Sequence, residues 1–365
     1  MVAVSGAVVV IAILGGGDDG QPQPATTTTA AERTLTTRRL TTTTSAPAPV
    51  ALGALLPEPT GTVLVAAGGR NVTVIDVDSG VVRTVRTDRS DDPYTGDIYG
   101  LAASGADVLA VGPEGGFTVP LQAGDVPVTL PRAEVSAVLR SDRPGHFWLV
   151  IYNGNGTELR EVGPNGEETG RIVDDLPPFA EPVVVADRGL VVPLLGSLTL
   201  YDPDDSTARA LGHGSAIAAH GDMLARLACE ALRCRLHLDD LAGGGVAGAG
   251  GVVADPPGAT FQPYPFGAFS PDGRWLAVSA GDTSTLPGTG RLALVDVATR
   301  RATLADEAPL YGAPPSVAFS ADSRWVFLVS GSGRLRAHRL ETGEAVTIQG
   351  VDLSGTASLV AVAAP

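Results

Sequence analysis

Lysine is absent from this chain of 365 residues, so all 25 of its basic side chains are arginines. Basic charge as a whole is scarce: 40 Asp and Glu leave a formal net charge of −15 and an isoelectric point near 4.7. A phosphate-binding face needs clustered positive charge, so nucleic acid is not an expected partner. Aromatic residues make up only 5% of the chain against 44% hydrophobic. Its core must therefore be built mostly from Val, Leu and Ala. Cysteine occurs twice, too rarely for a disulfide scaffold. Catalytic signatures are missing as well. The chain contains no Gly-x-Ser-x-Gly elbow, no Walker loop, no His-Glu-x-x-His and no dinucleotide fingerprint set between a strand and a helix. No catalytic residue, cofactor or resident metal is assigned.

The N-terminus reads as an anchor followed by a stalk. Val2 to Leu14 is apolar apart from Ser5 and Gly6. It is shorter than the roughly 20 residues of a comfortable membrane span and suits a signal-peptide core better. No basic flank precedes it, as if a cytoplasmic start had been lost upstream. From Gly15 to about Pro59 the chain is low complexity, with Gln21-Pro22-Gln23-Pro24, two runs of four Thr from Thr26 and Thr41, and Ala46-Pro47-Ala48-Pro49. Such a run cannot bury enough apolar surface to offset its ordering entropy. The expected organisation is a signal- or anchor-like segment over 1–17, a disordered Thr/Pro-rich linker over 18–60, and one folded domain over 61–365. The expected location is the outer face of a membrane, single-pass, or the medium after cleavage.

What the chain has in abundance is turns, with 46 Gly and 28 Pro, and the turns repeat. Phe269-Ser270-Pro271-Asp272-Gly273-Arg274-Trp275-Leu276-Ala277-Val278 reads as strand, tight turn, strand. Phe319-Ser320-Ala321-Asp322-Ser323-Arg324-Trp325-Val326 repeats it, keeping Phe, Asp, Arg and Trp. Ser141 to Val150 is a looser copy carrying Trp148. A third strand ending in an acidic turn completes each unit. Its marker position falls at Asp76, Leu121, Gly163, Asp202, Asp239, Asp296 and Arg339. The steps run from about 37 to 57 residues and centre on the roughly 40–45 of a propeller blade. One such unit is a small sheet with two apolar faces, and radial stacking buries both. Seven markers predict an all-β, seven-bladed β-propeller, with six or eight blades as alternatives. The spare strand Ala357 to Val362 is expected to complete the first blade.

The phrase Phe-Ser-Pro-Asp-Gly-Arg-Trp-Leu-Ala-Val resembles the repeat of WD40-like propellers, including the TolB-type and YVTN-type variants. Val295-Asp296 and Ile75-Asp76 stand where the Trp-Asp pair of that repeat would be, and Gly212-His213 matches its Gly-His dipeptide. The resemblance is strongest over residues 265–345. It implies the fold and no particular activity.

Candidate sites are few. Cys229 and Cys234 flank a hairpin turn and are expected to form a disulfide in an exported protein. Zinc ligation with His213, His220 or His237 fits no known spacing. Asp88, Asp91, Asp92 and Asp97 form an acidic loop that lacks a calcium-loop framework. Asp76, Asp202, Asp239, Asp272, Asp296 and Asp322 are expected to be turn residues. Trp148, Trp275 and Trp325 are expected to pack between blades in a shared register. The function these features point to is non-catalytic: a monomeric extracytoplasmic binding or scaffold module for a protein or cell-envelope partner. The alternative is a lactonase-like or other hydrolase working in the central channel.

Overall fold

The structure, a computed structural model, describes residues 49–364 and the strand Arg38–Arg39, except for 70, 87–97, 113–114, 123–124, 126, 131–134, 153, 155, 178–181, 187, 195–196, 231–232, 243–250, 263–266, 282–290, 306–316, 331 and 357. The chain divides into two units, Met1–Thr34 and Leu35–Pro365. The apolar segment and the first part of the stalk lie outside the described residues. Among those described, no helix is long and apolar enough to cross a membrane.

Among the described residues every regular element is a β-strand, gathered into six hydrogen-bonded antiparallel sheets. Sheet I holds Thr62–Gly68, Asn71–Asp76 and Val81–Arg86, with Val50–Ala51 on its outer edge and Ser358–Ala363 on its inner edge. Sheet II holds Gly100–Ser104, Asp107–Gly112, Gly115–Thr118 and Val128–Thr129, with Arg38–Arg39 paired to the last. Sheet III runs from Val135–Arg140 to Glu168–Leu176, and sheet IV from Val183–Val185 to Ala208–His213. Sheet V has nine strands, from Ser215–His220 to Arg301–Leu304, and sheet VI runs from Val317–Phe319 to Ala345–Asp352.

Alternation explains how the sheets stack. Side chains along a strand point to opposite faces, so a strand apolar at every position must be covered on both sides. Val63, Val65 and Ala67 pack with sheet II, while Leu64 and Ala66 pack with sheet VI. Phe147 and Leu149 face sheet II, and Trp148 and Val150 face sheet IV. The same division holds along sheet V, where Leu276 and Val278 face its first half and Ala277 faces sheet VI. Sheets IV and V share a cluster centred on Val191, Leu198 and Leu224. Each sheet thus packs on the one before and the one after, and sheet VI packs on sheet I. A closed cycle of stacked antiparallel sheets is a β-propeller.

The ring is sealed by its own ends. Ser358–Ala363 pairs with Thr62–Gly68 in the register Thr62↔Ala363 to Ala67↔Ser358. The spare C-terminal strand therefore sits in the first sheet, as its apolar pattern requires.

One boundary differs from the sequence reading. The linker does not extend to residue 60. Val50–Ala51 pairs with Val81–Val82, the Leu52 and Leu55 amides donate to Gly80 and Val77 carbonyls, and Leu56 is buried in the cluster between sheets VI and I. Burial of Leu55 and Leu56 recovers what the surrounding Ala and Pro cannot. The long step between Asp239 and Asp296 carries a strand of its own. Within it, Thr260–Phe261 pairs with Cys234 on one side and with Ala280 and Gly281 on the other. It staples two four-stranded runs into the single nine-stranded sheet V.

Candidate functional site

The inner strands of neighbouring sheets touch along most of the ring. These strands are Ser358–Ala363, Gly100–Ser104, Val135–Arg140, Val183–Val185, Ser215–His220, Gly267–Phe269 and Val317–Phe319. Apart from Phe269 and Phe319 they are built mostly from small and aliphatic residues. Their only titratable side chains are Arg140 and His220, each the last residue of its strand. Both therefore stand at one end of the channel, the end where the tight turns lie. The Arg140 guanidinium donates to the Ala219 carbonyl at 3.3 Å. It spans from sheet III to sheet V, past sheet IV. Burial, and then the nearby Arg140 charge, hold the His220 imidazole below the ordinary histidine range, so it is neutral at neutral pH.

Around that end run the repeated turns. Asp272 accepts from the Ser270 hydroxyl at 2.6 Å and the Arg274 amide at 3.1 Å, and Asp322 does the same with Ser320 and Arg324. Burial raises each carboxyl, but these hydrogen bonds outweigh it and hold both below the usual range. Gly273 takes φ 70°, and a Cβ there would meet the His220 ring at 2.4 Å, so this turn needs glycine. Asp76, Asp202 and Asp296 cap turns through backbone N–H groups two or three residues on.

Asp239 does something else. Its strand runs one residue further than the repeat implies, so Asp240 caps the turn by accepting from the Ala242 amide. Asp239 is buried and accepts from Arg226 Nε at 2.7 Å. The arginine also donates to the His213 carbonyl.

The tryptophans share a face but not a register. Trp275 and Trp325 open their strands, whereas Trp148 is the second residue of its own. The Ser–Trp backbone pairing of the two close copies is matched by Ser141 with His146, which places Trp148 two residues deeper. Trp148 and Trp325 are fully buried, and Trp275 is half-buried. A guanidinium lies over each indole: Arg171 over Trp148 at 5.3 Å, Arg274 over Trp275 at 5.5 Å and Arg339 over Trp325 at 5.9 Å. Neither buried indole N–H has an acceptor among the described residues, so size is what these positions use. Trp148→Ala should cost about 3–5 kcal/mol and Trp275→Ala about half as much or less. Urea unfolding of the two variants checks the order.

Those arginines expose a feature that sequence reasoning missed. Arg143 reaches Asp204 of the next sheet, Arg188 reaches Asp222, Arg274 reaches Glu341 and Arg324 reaches Glu58, which also meets Arg339. Neighbouring sheets are thus tied by ion pairs along the turn face. The tightest knot is Arg171, which donates to Glu161 and Asp204 at 2.7 Å and to Asp142 at 2.9 Å. Glu161 has no exposed surface and also accepts from Thr169 and Ser141. The available signal was the Arg kept after the turn Asp in each copy.

Cys229 and Cys234 form the expected disulfide, S–S 2.07 Å, across a paired position of one hairpin. The loop-entropy relation gives about 2 kcal/mol for so small a loop. Replacing both by Ala should lower stability by that amount, measured by urea titration with and without reductant. Among the described residues no group of three or more His, Cys, Asp or Glu could hold a metal ion. The acidic loop Asp88, Asp91, Asp92 and Asp97 lies outside them. The large apolar side chains that are exposed, Val50, Leu52, Ile172 and Val252, are scattered over the outer edges of three sheets. They form no patch of interface size.

Fold and turn face together define a closed, ion-paired propeller. No family model matches the chain, and no curated protein matches it. Solved propellers resemble it at low identity. TolB from Acinetobacter baumannii is 12% identical with a TM-score of 0.47, covering 84% of this chain and 68% of that one. The dihydro-heme d1 dehydrogenase NirN in complex with DHE is 14% identical with a TM-score of 0.49, covering 85% and 79%. Apo AztD from Citrobacter koseri is 13% identical with a TM-score of 0.44, covering 82% and 98%.

Proposed function

We propose that this chain is an extracytoplasmic, non-catalytic binding or scaffold module built on a seven-bladed propeller. The observation that carries this reading is the inner wall. In its described strands it offers one arginine and one histidine at a single end, whereas a channel hydrolase needs acid, base and electrophilic groups converging from several blades. Seven blades follow if sheet V is counted as the two repeat units stapled by Thr260–Phe261. Seven apolar clusters, one of them between the two halves of sheet V, support that count. The disulfide supports a location outside the cytoplasm, where such bonds persist. Val2 to Leu14 would export or anchor the chain, and the Thr/Pro stretch would hold a monomeric propeller off the membrane.

With no apolar patch among the described residues, the partner, a protein or another envelope component, is met by the polar loops and turns of the two faces. Cross-linking in intact cell envelopes followed by affinity purification tests this. The expected result is one partner recovered stoichiometrically, with cross-links confined to one face. Turnover of lactone or ester substrates that disappears in His220→Ala would refute it in favour of the hydrolase.

A further inference from the structure

We infer that Cys229–Cys234 is a site of thiol–disulfide exchange, and that its reduction releases the joint between the two halves of sheet V. The bond links opposite positions near the end of the hairpin formed by Met223–Glu230 and Arg233–Asp240. Its two cysteines stand in different surroundings. Cys229 is exposed, whereas Cys234 is buried in the apolar cluster between the two halves.

The joint hangs on the same residue. Thr260–Phe261 pairs with the second half at Ala280 and Gly281, but with the first half, among the described residues, at Cys234 alone. Phe261 is fully buried in the same cluster. Beyond Ala228 and Arg235 the hairpin has two paired positions left, Cys229↔Cys234 and Glu230↔Arg233. Of these four residues only Cys234 is buried. Hairpin ends held by so little burial fray unless something else ties them. The disulfide is that tie, and it keeps the Cys234 backbone in place for Phe261.

The fold protects the bond only weakly. Closing so short a loop contributes roughly thirtyfold to the folding equilibrium. Linkage is reciprocal, so the fold shields the bond from a reductant by the same factor and no more. Exposed disulfides are the labile ones.

The co-reactant is a dithiol, small or carried by a protein. Its first thiolate attacks Cys229 Sγ, the S–S bond breaks, and Cys234 leaves as a thiolate that takes up a proton. The donor's second thiolate then attacks the mixed disulfide, and Cys229 leaves and is protonated in turn. Two electrons and two protons pass to the chain, and the donor ends as a disulfide. The end of the hairpin is then free to open, and opening uncovers Phe261. The proposal stands whether or not the chain is a scaffold.

The full chain tests it, with dithiothreitol as the dithiol. Under native conditions dithiothreitol should reduce the bond completely, read by thiol alkylation and mass spectrometry. Hydrogen exchange in the reduced chain should be about tenfold faster or more in peptides covering 233–236 and 259–262. Sheets I to III should not change, and a cooperative thermal transition should remain. Cys234→Ser should leave a Cys229 thiol that reacts with Ellman's reagent faster than the Cys234 thiol left by Cys229→Ser. Should either variant fail to fold, exchange in the native chain before and after reduction decides alone. A bond reduced only in denaturant, or a Cys234 thiol as reactive as that of Cys229, would overturn the exchange site. Unchanged exchange at 259–262 on reduction, or unfolding of the whole chain, would overturn release of the joint.

Discussion

A chain ending at Thr356 should lose its cooperative thermal transition. The missing residues include Ser358–Ala363, the inner strand of sheet I, which supplies six paired positions to Thr62–Gly68. Leu359 belongs to the apolar cluster with sheet VI and Val362 to the one with sheet II. Each such side chain contributes about 1.5–3 kcal/mol by burial. Removing the strand also leaves the backbone of Thr62–Gly68 as an unpaired edge. Set against a typical net stability of about 5–15 kcal/mol, the loss should exhaust most of what holds the ring. Calorimetry checks it. The truncated chain should give a broad, low-enthalpy signal, and a chain beginning at Leu35 should keep a sharp one. A transition within about 5 °C of the full chain would show that sheet I is stable without its last strand.

The second large effect lies at Arg171. Arg171→Met should destabilise the fold by about 3–5 kcal/mol, the usual cost of stranding a buried charge. Glu161 has no exposed surface, and Asp142 is nearly as enclosed. Without Arg171 their nearest cation is Arg143, which is largely in solvent. The same knot predicts a pH dependence. Burial pushes the Asp142 carboxyl up, but the hydrogen bonds from Arg171 and Ser141 outweigh it and hold it below the usual range. A depressed carboxyl stabilises the fold above its unfolded value near 4 and loses that contribution as pH falls through the folded value. The native chain should therefore weaken below about pH 4. Arg171→Met should instead weaken as pH rises, because burial without the arginine raises the Asp142 carboxyl rather than lowering it. Stability measured from pH 3 to 8 distinguishes the two. Replacing Arg171 and Glu161 together should cost less than Arg171→Met alone, since the fully buried Glu161 charge is then gone and only Asp142 is left without its cation.

The fold was legible because its signal is periodic and local. Phe269 to Val278 reads as strand, turn and strand from its own residues, and the structure places strands at Gly267–Phe269 and Trp275–Gly281 with the turn between. What escaped was either short or distant. Thr260–Phe261 is two residues long and pairs at one position with Cys234, which leaves no alternation to read. The partners of Arg171 lie at 142, 161 and 204, spread over two sheets. No spacing rule joins them before the fold does. Asp239 was misplaced because an acidic pair, Asp239-Asp240, gives two choices for one turn, and only burial decides between them.

Sheet I has one more consequence. Its inner strand pairs Thr62 with Ala363, the partners most distant in sequence of any described ladder. Contacts of such separation carry the largest loop-closure entropy and form late. The circle is therefore expected to lock only after the individual hairpins have formed.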